Sequence, residues 1–161
     1  MQRGRVADCL LSTEPLDTDR LLAGVADESA GANVLFVGTT RRLTGDVATC
    51  RLVYEAHEPL ARGQLERLRA AAVTRFGLTR CVVHHRLGAV AVGEASVAIA
   101  ASAAHRREAF AAAEWLMDQV KRSVPIWKCE EGPDGSRAWV HPDAAPSAGD
   151  VPVTPHEGAD R

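Results

Sequence analysis

The sequence predicts an α+β fold in one domain, built on a mixed or antiparallel sheet. Segments of strand period and helix period are interspersed along the chain. Hairpin punctuation, in Gly88 with Gly93 and in the run Gly132, Pro133, Asp134, Gly135, sits among the longer crossovers. Neither a G-x-G-x-x-G nor a P-loop pattern is present, so a nucleotide-binding parallel sheet lacks support. At 161 residues the chain fits one domain and can bury about two-thirds of its unfolded surface.

Residues 17–30 predict a short helix. Asp17 or Thr18 can cap it, Leu21, Leu22 and Val25 form an apolar stripe, and Gly31 stops it. Residues 32–37 read as a buried strand. Gly38 opens a loop that holds Arg41, Arg42 and a turn at Thr44, Gly45 and Asp46. Residues 50–56 alternate as a second strand. Over 59–76 a helix is predicted, with Pro59 in its first turn, Leu65, Leu68, Ala72 and Phe76 on one face, and Gly77 as C-cap. A third strand covers 80–87, and a fourth covers 94–101 with Val97 and Ile99 on one face. The longest helix is predicted over 102–121, capped by Ser102 or an adjacent backbone group, with Phe110, Ala113, Met117 and Val120 at helical spacing. A fifth strand over 126–130 is followed by a returning strand over 137–141. The domain therefore spans 17–141. Residues 1–16 read as an N-terminal extension. Residues 142–161, without periodicity and rich in Pro, Ala, Gly and Asp, read as a disordered tail.

Formal net charge is −2 with both signs interspersed, which argues against a generic nucleic-acid binder. No apolar run approaches the roughly 20 residues that cross a bilayer. The N-terminus lacks an apolar signal core, so a cytoplasmic protein without a membrane span is expected. Cys9, Cys50, Cys81 and Cys129 include no C-x-x-C pair. Zinc-ribbon and thioredoxin readings lose support, and free thiols, several of them buried, are expected.

Chemistry concentrates between Lys121 and Lys128, which bracket Val124, Pro125, Ile126 and Trp127. Pro125 ends the preceding helix and pushes the residue before it to extended geometry. Lys121 then closes a helix while Lys128 sits on the next strand, aiming two ammonium groups at one cleft from two rigid elements. Paired lysines suit a phosphate or carboxylate substrate, and crowding or burial tunes one toward acid, base or nucleophile work. Two solvated lysines, one complementing a helix C-terminus, fit the spacing as well.

His105, Arg106 and Arg107 fall in a first helical turn, where basic residues oppose the macrodipole. Either that turn faces solvent beside Glu108, or free N–H groups join His105 and Arg106 in holding a phosphate. Arg41 and Arg42 follow a buried strand, from which loops commonly present arginine to ligands. His84 and His85 are adjacent on a strand and face opposite sides, one toward the core and one toward the surface. With Cys81 they match zinc spacing poorly, so no metal site is assigned. Glu55 reads as solvated, salt-bridged or an acid–base group.

The segments FVGTTR (36–41), YEAH (54–57), HRLGAVAVGE (85–94), SAAHRREAF (102–110) and DQVKRSVPIWKCE (118–130) together resemble the large, catalytic subunit of molybdopterin synthase. Their order and spacing match that family over residues 30–141. The resemblance implies an α/β-hammerhead-like fold and a homodimer within a heterotetramer. It implies a small β-grasp sulfur-carrier subunit whose C-terminal Gly-Gly bears a thiocarboxylate. The implied substrate is cyclic pyranopterin monophosphate. Two sulfur atoms would be delivered in turn, opening the cyclic phosphate and building the dithiolene of molybdopterin, a sulfurtransferase step in molybdenum cofactor biosynthesis. No resident metal or cofactor is implied, molybdenum entering later. By position, the resemblance makes Lys121 and Lys128 the catalytic lysines and Arg41, His105 and Arg106 the substrate's anion contacts. The lysines would steer the thiocarboxylate tail, stabilise developing negative charge and shuttle protons.

Two departures bear on this. The loop after Arg41 (RLTGD) is shorter than the asparagine- and histidine-bearing loop of the family, and Cys129 stands where arginine is common, removing a positive charge near the pocket. They motivate an alternative, a non-catalytic α+β module that docks a β-grasp partner or an anionic ligand. A third reading is a metal-dependent hydrolase using His84, His85 and His105.

Overall fold

The computed structural model describes residues 6–140. In chain order its elements are β1 (Cys9–Ser12), α1 (Thr18–Val25), β2 (Ala32–Thr39), β3 (Leu43–Thr44), β4 (Val47–Ala48), β5 (Arg51–Ala56), α2 (Glu58–Phe76), β6 (Arg80–Arg86), β7 (Gly88–Ala91), β8 (Ala95–Ala103), α3 (Arg106–Ser123), β9 (Ile126–Glu131) and β10 (Arg137–Val140). They form two four-stranded sheets, ordered β1-β6-β8-β2 and β10-β9-β5-β7, and a separate β3-β4 hairpin. β1 runs parallel to β6, and the other pairings are antiparallel. The architecture is the mixed α+β fold that the interspersed periods predict. Among the described residues no helix is long and apolar enough to cross a membrane.

The first sheet is covered on both faces. Val83, Ile99, Ala101 and Ala103 join a core filled by Leu65, Leu68 and Ala72 of α2 and Leu116 and Val120 of α3. Val82, Ala98 and Ala100 pack on the other side against Leu21 and Val25 of α1. A strand covered twice reads as a near-continuous apolar run, and β8, ASVAIAASA, is buried almost throughout.

Local chemistry sets the element ends. Asp17 accepts the Arg20 N–H at 2.9 Å and caps α1. That helix stops well before Gly31, because Asp27 accepts both the N–H and the hydroxyl of Ser29 at 3.0 and 2.7 Å and so competes with the helical pattern. Gly77, at φ 61°, ends α2 in the left-handed conformation. β2 continues through Gly38, where the sequence suggested a loop. A Cβ there would meet Val97 Cγ1 at 2.6 Å, and the register with β8 shifts just beyond it.

Several expectations need correction. Ser102 is no helix cap: it lies in β8, opposite Asn33 and Arg80, and α3 begins after His105 without a side-chain cap bond. The longest helix is α2, with 19 residues against 18 in α3. Of the stripe expected on α3, Ala113 and Val120 are buried and Met117 packs against the core, but Phe110 is 62% exposed; Ala109, Ala112 and Leu116 complete the buried face. The alanine-rich β8 favours a small-residue helix face, which lies closer than a phenylalanine face. His84 and His85 do face opposite sides, yet neither reaches the surface, because both faces of the sheet are covered. His84 Nε2 lies 2.7 Å from the Ala7 carbonyl, and the His85 ring meets Tyr54 edge-on at 5.0 Å. Burial lowers the pKa of both, that of His85 to about 4.

The stretch read as an N-terminal extension includes β1, whose Cys9 and Leu11 are buried. The segment between Gly88 and Gly93 contains β7, paired with β5. The tail expected over 142–161, and His141, lie outside the described residues. Cys9, Cys81 and Cys129 are buried and Cys50 is exposed, all as free thiols. Burial pushes Cys9 up to about 11 and Cys81 up to about 12, which keeps them protonated and unreactive.

Candidate functional site

β2 and β8 run antiparallel, with Ala32 opposite Ala103 and Thr39 opposite Ala95. At about 3.4 Å per residue the eight residues of β2 cover about 27 Å. Beyond Ala103 the chain reverses through Ala104 and His105, and α3 packs back across the same sheet. Its 18 residues cover about 27 Å at about 1.5 Å each. The layer therefore has two ends. One carries Arg41, which follows β2, and Lys121, in the last turn of α3. The other carries His105 and Arg106, at the start of α3.

Lys128 belongs to the first end. It lies on β9 directly opposite Tyr54 of β5, so the two side chains stand side by side on one face. Tyr54 meets His85, which pairs with Val97 near the start of β8. Lys128 Nζ lies 2.9 Å from Glu130 Oε1, with side chains 35% and 17% exposed. Burial raises the Tyr54 pKa most; the Ser96 hydroxyl beside it opposes the shift, and the Glu130 charge adds to it. Ser96 in turn donates to the Gly38 carbonyl at 3.2 Å. Lys128 is thus a half-shielded cation with a fixed counter-charge and an aromatic wall.

Lys121 is exposed two residues before the end of α3. Val124 closes the helix at φ −82° and ψ 126°, the extended geometry that Pro125 demands. Arg41 is also exposed, but Thr40 before it is buried. Among the described residues Arg41, Arg106 and Lys121 enter no ion pair. At the far end, His105, Arg106, Arg107, Glu108 and Phe110 line an open cavity of about 680 Å³.

One chain thus brings Arg41, Lys121 and Lys128 to the same end and sets His105 and Arg106 apart by about the length of β2, roughly 27 Å. Glu55 pairs with Trp127 and lies on the face of β5 opposite Tyr54, away from Lys128. His84, His85 and His105 do not converge, so the metal-hydrolase reading loses its geometry. Cys129 is fully buried on the side of β9 away from Lys128, so its departure from arginine subtracts no charge beside that lysine. Sequence reasoning missed Glu130 and the neighbourhood of Tyr54. Glu130 was findable, since residues i and i+2 of a strand share a face. The pairing of Tyr54 with Lys128 depends on a register that no local pattern encodes.

Known proteins supply the remaining context. The chain matches the family model described as MoaE protein over residues 11–123. It is 43% identical over 129 residues to a molybdopterin synthase catalytic subunit of Emericella nidulans, covering 80% of this chain and 66% of that relative, just under two-thirds of its length. A molybdopterin synthase from Staphylococcus aureus superposes with a TM-score of 0.80 at 31% identity, covering 85% of this chain and 99% of that one. A protein–protein complex of subunits 1 and 2 of molybdopterin-converting factor from Helicobacter pylori 26695 superposes with a TM-score of 0.68 at 25% identity, covering 83% of this chain and 90% of that one.

Proposed function

This chain belongs to the MoaE protein family, and we propose that it works as the catalytic subunit of a molybdopterin synthase. A small β-grasp partner brings a C-terminal Gly-Gly thiocarboxylate, and the substrate is cyclic pyranopterin monophosphate. Sulfur passes twice from carrier to pterin, opening the cyclic phosphate and leaving a dithiolene. A two-subunit complex among the structural relatives supports the partner.

The observation that carries this reading is the environment of Lys128. Glu130 holds its ammonium at 2.9 Å, and Tyr54 walls its cross-strand side. A cation fixed before the substrate arrives can stabilise negative charge as it develops, without reorganising at the moment of reaction. Lys121, on the same end but in solvent, is placed to draw in the anionic tail. In this reading it also donates or accepts a proton during sulfur transfer. Arg41 meets the substrate's phosphate.

His105 and Arg106 complete the phosphate contacts from a second copy. Their position at the opposite end of β2 supports a homodimer in which the far end of one protomer closes the lysine end of the other. With one carrier on each protomer the assembly is a heterotetramer. The proposed setting is the cytoplasm, where free thiols persist. In this reading the catalytic domain takes in β1 together with the elements from α1 to β10.

The test mixes the chain with a thiocarboxylated β-grasp partner and cyclic pyranopterin monophosphate, and follows trapped dithiolene product by mass spectrometry. Product formation is the expected result. A stable complex that yields no product would instead support the docking module.

A further inference from the structure

The segment from His85 to Glu94 takes no direct part in the chemistry proposed above, yet its hydrogen bonds converge on the root of Arg41. Glu94 closes a buckle. Its Oε2 accepts from Arg86 Nη1 at 2.9 Å and from the Ala91 N–H at 3.0 Å. Its own N–H donates to the Ala91 carbonyl at 3.0 Å. Gly93, at φ 86°, makes the corner possible. The Ala91 N–H, with Arg86 reinforcing it, holds the Glu94 carboxyl below its ordinary range, so the buckle is charged at neutral pH.

That corner grips Thr40 from both sides. The Thr40 N–H donates to the Glu94 carbonyl at 3.1 Å, and the Gly93 N–H donates to the Thr40 carbonyl at 2.9 Å. The Thr40 hydroxyl reaches the Val90 carbonyl at 3.5 Å, and Thr40 is 2% exposed. Ser96 Oγ donates to the Gly38 carbonyl across the register shift that follows Gly38. The backbone leading to Arg41 is therefore tied on both sides, while the Arg41 side chain is left exposed. A long, flexible arginine contacts a ligand reproducibly only when its backbone root is fixed, and displacements of about 1 Å in such roots can cost on the order of a hundredfold in rate.

We propose that Glu94, acting with Arg86 and Thr40, is a positioning residue that fixes the point from which Arg41 reaches the anionic substrate. This inference rests on the reading of Arg41 as a phosphate contact.

The experiment uses the full chain with thiocarboxylated β-grasp partner and cyclic pyranopterin monophosphate. Wild type, Glu94→Gln, Arg41→Ala and the double variant are compared, with thermal unfolding recorded for each. Glu94→Gln should unfold cooperatively, raise KM on the order of tenfold and leave kcat within about twofold. It should add nothing further in the Arg41→Ala background, because both changes remove the same contact. Thr40→Val, which exchanges the hydroxyl for a methyl group and leaves the backbone bonds in place, should raise KM by less, and it carries the test if Glu94→Gln does not fold. A KM effect that adds in full to that of Arg41→Ala, or an unchanged KM in the folded variants, overturns the buckle's role and leaves the site reading standing. A silent Arg41→Ala overturns the site reading, and this inference with it.

Discussion

The two ends of the β2–β8–α3 layer are built differently. At the lysine end one charge is held: Glu130 pins Lys128 beside Tyr54, and hydrogen bonds at Thr40 anchor the backbone before Arg41, although the Arg41 and Lys121 side chains stand exposed. At the histidine end, charge is only presented. His105 caps nothing, Arg106 and Arg107 stand in solvent, and Phe110 is 62% exposed beside them. One end resembles a site organised before its ligand arrives. The other resembles half of a contact. The difference teaches that a single chain fixes one cation, Lys128, by an ion pair, while among the described residues Arg106 and Arg107 enter none.

The strongest way to break this contrast is to remove the pinned cation. Lys128→Ala should lower turnover on the order of 10²–10³-fold, with the unfolding midpoint little changed, as read by product formation and urea titration. Near-normal turnover would show that the held charge is structural.

Acid probes the same end through His85, which lies under Tyr54. The folded protein holds His85 neutral down to about pH 4, against an ordinary value of 6.5. The unfolded chain therefore binds the extra proton between these values. The His85 contribution to stability is full above about pH 6.5 and is lost as pH falls toward 4, a change on the order of 3 kcal/mol. His84, also lowered by burial, acts in the same sense. Urea unfolding between pH 7 and 4 should show this slope, and His85→Phe should flatten it; an unchanged slope would place the titration elsewhere.

Two smaller effects sharpen the comparison. Glu130→Gln should lower turnover on the order of tenfold while barely moving stability, since charge-assisted contacts orient strongly but partly exposed pairs stabilise little. A variant with full activity would mean that Lys128 needs no counter-charge. Phe110→Ala, at the histidine end, should change the unfolding free energy of the dissociated protomer by less than about 0.5 kcal/mol, because in a single chain that side chain is mostly in water and loses little packing. A loss of 2 kcal/mol or more, on the order of a core truncation, would mean that this end is not bare.

Much of this was legible in the residues. The α2 face of Leu65, Leu68 and Ala72 follows from period alone, and Pro125 marks where the last long helix must end. That break is what puts Lys121 and Lys128 on separate elements. On α3 only Phe110 departs from the expected face, because Phe110 and Ala109 fit helical spacing almost equally and the small-residue surface of β8 decides between them. β1 has four residues, too few for a pattern, and its place comes from pairing with β6. Above all, chain order says nothing about which end of a strand a loop occupies. Arg41 and His105 look like members of one set until the antiparallel pairing of β2 with β8 sends them to opposite ends.

The division between the two ends is tested most directly by complementation. Lys128→Ala disables the lysine end and Arg106→Ala the histidine end. The two variants are co-expressed, and the mixed population is assayed with thiocarboxylated partner and cyclic pyranopterin monophosphate. In a twofold dimer half the molecules are hybrids, and each hybrid holds one site with both residues intact, so about a quarter of wild-type activity should return. Activity no greater than the average of the two variants assayed separately would contradict a site shared between protomers.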